Sequence, residues 1–143
     1  MGYTHYWKRP PLLSPQAFGR ALADCRRILP ELHVSLAGAD GTGKPVYRAN
    51  GITFNGVGAA SYETFSIRQA EPAPDAEPLV FSFCKTAHKP YDLVVQVALI
   101  VFWHHLGPQF QVSSDGAESD WDAARKLCQR HRGYGDDFRL DNG

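Results

Sequence analysis

The sequence predicts a single α+β domain, a mixed β-sheet with about three helices packed mainly on one face. Three observations carry this. The chain has 143 residues, enough for one core, with 43% hydrophobic and 21% charged residues, the balance of an ordinary globular protein. Short β-rich stretches come before, between and after segments of helical period, in the order β, α, several β, then β-α-β-α. No internal repeat or second compositional block divides the chain, so residues 1–132 read as the domain and 133–143 as a mobile tail.

Each element has a local cause. The aromatic opening predicts a strand over Gly2 to Trp7, closed by "KRPP". Ser14 followed by Pro15 opens a helix, since serine caps an orphan N–H and proline suits the first helical position. Phe18, Ala21, Leu22, Cys25, Ile28 and Leu29 follow at helical spacing, and Pro30 ends the pattern. The turn-rich "AGADGTGKP" reads as a loop, and Val46 to Arg48, Gly51 to Phe54 and Tyr62 to Ile67 read as short strands. After the acidic, proline-rich "AEPAPDAEP", Leu79 to Cys84 is the next strand. Tyr91 to Leu106 is apolar almost all round, which predicts a buried helix stopped by Gly107 and Pro108. "QFQVSS" supplies a last strand. Ser119 and Asp122 form a capping box before a helix bearing Trp121, Ala124, Leu127 and Cys128.

Fifteen Lys and Arg balance fifteen Asp and Glu, so no global positive field exists to hold duplex nucleic acid. Cys25, Cys84 and Cys128 are far apart and form no CxxC pair, as expected of reduced thiols in a cytoplasmic protein. No apolar run is long enough for a membrane span. The six histidines show no paired ligand spacing, so neither a metal nor a cofactor is expected.

The stretch "FSFCKTAHKPYDLVV" raises the functional question. Lys85, His88 and Lys89 stand before a helix start, which is already the positive end of a dipole, and an anionic ligand would answer that charge. If the flanking strands run the same way, the loop 85–89 and the turn 113–115 meet at one sheet edge, where ligands bind open sheets. The candidate ligand residues are therefore Lys85, Thr86 and Lys89 for the anion, Ser113, Ser114 and Asp115 for sugar or polar groups, Tyr6 or Trp7 for base stacking, and Tyr91 as a gate or a core aromatic. The bland reading sets solvated lysines, Asp92 as the helix's own cap and an ordinary serine turn beside this. A catalytic reading would use Cys84 with His88, or Asp115 with His5, although a strand cysteine is more commonly a buried thiol.

The blocks "MGYTHYW", "GITFNGVGAASYETF", "FCKTAHKPYD" and "VSSDGAESDW" resemble a family of small uncharacterised bacterial, phage and prophage proteins. His88 departs from the basic residue more common at that place in the pattern. The resemblance implies a compact cytosolic protein made during phage infection and carries no established activity. The expected function is a small cytosolic binding module for a phosphorylated or nucleotide-like ligand, acting against host defence. The alternatives are a small hydrolase or phosphoesterase, and a protein-interaction inhibitor, with a second copy or a host protein as partner.

Overall fold

The computed structural model describes residues 2–74 and 77–141. The elements run β1 (Thr4–Arg9), α1 (Pro15–Ile28), β2 (Leu36–Ala37), β3 (Val46–Arg48), β4 (Gly51–Gly56), β5 (Phe65–Arg68), β6 (Val80–Lys85), α2 (Asp92–Leu106), β7 (Gln111–Ser114) and α3 (Asp122–Arg132). This is the α+β class with the three expected helices. The strands divide into two sheets, however, and every pairing among the described strands is antiparallel. A tight turn from β3 to β4 and a loop over residues 57–64 from β4 to β5 let these three strands zip up locally as a meander, with β2 pairing the far end of β4. The other sheet is assembled from distant segments in the order β6-β1-β7. Strands β6 and β7, joined through α2, run the same way, and β1 is inserted antiparallel between them. Their C-terminal ends therefore meet at one edge, beside the start of β1.

The three-stranded sheet has one covered and one open face. His5, Trp7, Arg9, Cys84 and Val112 point inward and are buried; Lys8, Phe81, Phe83 and Gln111 point outward and are exposed. This is the two-residue period of a strand with one wet side. Helix α2 packs against α1, α3 and β7 and is buried on nearly every side, from Val94 through Phe102. That explains its lack of an amphipathic stripe. Arg9 ties the two sheets together: its guanidinium donates to the carbonyls of Pro11, Arg68 and Gln69 and pairs with Glu71 at 3.1 Å.

Local signals mostly place the elements well. Ser14 Oγ accepts from Ala17 N at 3.2 Å, the expected cap on α1. The expected Ser119–Asp122 capping box is not made: a 3₁₀ turn over Glu118–Trp121 precedes α3, whose cap position is Trp121, and the Asp120 carboxylate instead accepts from Ala117 N at 2.7 Å. The segment read as a mobile tail is docked as far as residue 141. Phe138 is fully buried, the Arg125 guanidinium donates to its carbonyl, and Asp141 N donates to Val112 O at 2.7 Å. Tyr134 stacks on His104 with centroids 3.7 Å apart. Its hydroxyl donates to Asp24, which also takes His105 Nε2 at 2.7 Å and Arg132 Nε at 3.1 Å.

Candidate functional site

Three segments meet at the edge where β6 and β7 end. The amides of Thr86 and Ala87 donate to the Tyr3 carbonyl, and Asp115 N donates to Thr4 O while Thr4 N donates to Asp115 Oδ2 at 3.0 Å. Between β6 and α2 the chain makes a tight turn closed by Lys89 N on Thr86 O at 3.0 Å. Both central residues are left-handed, Ala87 at φ 53° and His88 at φ 59°, a conformation usually given to Asn-Gly. The turn lays the His88 ring on Tyr3, with centroids 3.7 Å apart.

Beneath this edge lies a buried polar chain. The Thr86 hydroxyl donates to Asp92 Oδ1, His5 Nε2 lies 2.7 Å from the same oxygen, and His5 Nδ1 lies 2.8 Å from Ser114 Oγ. A carboxylate only accepts, so Nε2 carries a proton, and a singly protonated ring then accepts the Ser114 hydroxyl at Nδ1. Gln96 Nε2 reaches the other Asp92 oxygen at 3.3 Å, and Gly116 N donates to Ser114 Oγ. His5 is completely buried, edged by the rings of Tyr3 and Trp121. Burial, and then the carboxylates of Asp92 and Asp120, push the Tyr3 hydroxyl up to about 12.

This geometry bears directly on the lysines before the helix. The negative charge at the start of α2 is Asp92 itself, in the first helical turn and half-buried, where the dipole stabilises it. Thr86 is fully buried and its hydroxyl bonded to that carboxylate. Tyr91 is a core residue rather than a gate, its hydroxyl donating to the Glu63 and Lys85 carbonyls. Lys85 donates its backbone N–H to Glu63 Oε1 at 2.7 Å, and both Lys85 and Lys89 are half-buried. Asp115 has both carboxylate oxygens occupied, one by Thr4 N and one by the Tyr6 hydroxyl at 2.9 Å. Ser113 faces outward beside Tyr6, its partner across β1 and β7, while Ser114 serves the buried chain.

Tyr6 and Trp7 go to opposite faces. Trp7 is 2% exposed and packs on Phe65, which removes it as a stacking surface. Tyr6 stays on the open face. The Cys84 thiol is buried and pushed up to about 12 by its desolvation, the wrong direction for a nucleophile. Among the described residues no group of three or more His, Cys, Asp or Glu could hold a metal ion, and no helix is long and apolar enough to cross a membrane.

Two residues outside the sequence-derived set complete the open face. Phe81 and Phe83 are each 53% exposed, with Tyr6 stacked near Phe81 at 5.9 Å and the two phenylalanines 6.2 Å apart. By the period of β6, Lys85 stands on the same face as the phenylalanines, and Lys8 lies opposite Phe81 in β1. The signal was present as Phe at alternate positions in "VFSFCK", but which set pointed outward depended on the pairing. No family model, no curated protein and no solved structure matches this chain.

Proposed function

We propose that the protein is a binding module for a nucleotide-like ligand, whose base stacks on the open face of the β6-β1-β7 sheet and whose phosphate meets Lys85. One observation carries the reading: three aromatic rings, Tyr6, Phe81 and Phe83, share that face with Lys8 and Lys85. Leaving two phenylalanines half in water forgoes about 1 kcal/mol or more of burial each. An aromatic row bordered by amines suits a flat base joined to an anion, because every base offers a π-face and the Lys85 amine answers the phosphate. The neutral whole-chain charge fits one or two phosphates better than a duplex.

The test is fluorescence anisotropy of a labelled, 5′-phosphorylated dinucleotide of mixed sequence. Binding should weaken about five- to 150-fold in Phe81→Ala and in Phe83→Ala, and should weaken with added salt. Absence of binding at low salt, or affinity indifferent to both substitutions, overturns the reading.

The three buried free thiols support a reducing compartment, and we place the protein in the cytoplasm. Following the resemblance to small phage and prophage proteins, we assign it to sequestering a nucleotide signal of the host.

A further inference from the structure

Beside Phe81 the open face falls into a cleft of about 350 Å³, lined by Lys8, Pro74, Glu77, Pro78, Leu79 and Phe81. Its size is at the lower end of small-ligand sites. Four of the six lining residues are proline, leucine or phenylalanine, which suits a flat ring held between hydrocarbon walls. The other two are a cation from β1 and an anion from the segment before β6. Neither the Lys8 amine nor the Glu77 carboxylate has a hydrogen-bond or ion-pair partner among the described residues. Glu71, six residues earlier, is by contrast taken up by Arg9 and by Arg68 N.

Resting on the nucleotide reading above, we infer that this cleft selects a guanine base. A carboxylate accepts most strongly when two parallel N–H donors face it. Guanine alone among the common bases offers that pair, N1–H beside the 2-amino group, and its O6 lies next to them as an acceptor for an amine. Glu77 takes the two donors, Lys8 gives to O6, and Phe81 carries the ring. Adenine and cytosine present a single amino donor to Glu77. Uracil presents one imide N–H flanked by carbonyl oxygens that repel a carboxylate.

Calorimetric titration with GMP, IMP, AMP, CMP and UMP tests this on the wild-type chain and on Glu77→Gln. GMP should bind tightest, with IMP, which lacks the 2-amino group, about tenfold weaker. Glu77→Gln should bring GMP down to the level of IMP and tighten UMP, whose carbonyl oxygens the neutral amide no longer repels. Equal affinities for all five that are still lost in Phe81→Ala would overturn the base selection while leaving the stacking face intact. A GMP preference that survives Glu77→Gln would overturn the role of Glu77. No heat with any nucleotide overturns the inference together with the reading beneath it.

Discussion

His5 Nε2 lies 2.7 Å from Asp92 Oδ1, joining the first strand to the start of the central helix across 87 positions of sequence. With Ser114 on the other ring nitrogen and Thr86 on the same carboxylate, the imidazole braces four separate segments: β1, β7, α2 and the turn after β6. Removing the ring leaves the half-buried Asp92 carboxylate short of a donor as well as a hole. His5→Ala should therefore lower stability by about 3–5 kcal/mol, read as a fall in the urea midpoint with little change in slope. Ser114→Ala, which removes only a hydroxyl, should cost about 1 kcal/mol. Equal, small effects of both would refute the brace.

The turn at Ala87 and His88 holds two non-glycine residues in the left-handed region. At Ala87 a Cβ in that conformation costs about 1–2 kcal/mol, only partly offset by the greater unfolded-state freedom of glycine. Ala87→Gly should stabilise the chain by about 0.5–1 kcal/mol, a rise in Tm of a few degrees. A drop in Tm would show that the methyl group has a packing role outweighing its strain.

Asp24 receives Tyr134, His105 and Arg132. Burial pushes its carboxyl up, but the hydrogen bonds from Tyr134 and His105 and the charge of Arg132 outweigh this and hold it below the ordinary carboxylate range. A depressed acid stabilises the fold above its unfolded value of about 3.9 and loses that contribution as pH falls through the lower folded value. Acid unfolding followed by circular dichroism should show this as a limb below about pH 4. In Asp24→Asn that part of the limb should flatten, and stability at neutral pH should fall by about 1–3 kcal/mol.

Phe138 is fully buried whereas Phe81 and Phe83 are half exposed. Phe138→Ala should cost about 3–5 kcal/mol, and Phe81→Ser or Phe83→Ser less than about 1 kcal/mol each. Chemical denaturation of the three variants checks the contrast. If Phe138→Ala proves as mild as the strand variants, the C-terminal segment is not part of the core. The same burial means that deleting residues from 133 onward removes core, so such a truncation is not a neutral probe of partner binding.

The helices were legible because their causes are local. Ser14-Pro15 starts α1, an unbroken apolar run makes α2, and Trp121, Ala124 and Cys128 line one face of α3. The tail was less legible because one anchoring residue, Phe138, carries no periodicity, and its burial depends on Arg125 and Trp121 being in place. The strand β2 was missed for a similar reason: two residues, Leu36 and Ala37, pair with β4 and have no pattern of their own.

By itself the sequence determined the class, the three helices and the alternation that divides Tyr6 from Trp7. Only the tertiary structure decided which of those two faces water, that Asp92 answers the helix start, and that Phe81 and Phe83 flank Tyr6 on an open surface. The reason is physical. Helix caps and apolar periods act over a few residues and are written in order along the chain. Which buried polar group meets which partner is settled only when strands distant in sequence come within hydrogen-bond reach, as His5, Asp92 and Ser114 do here.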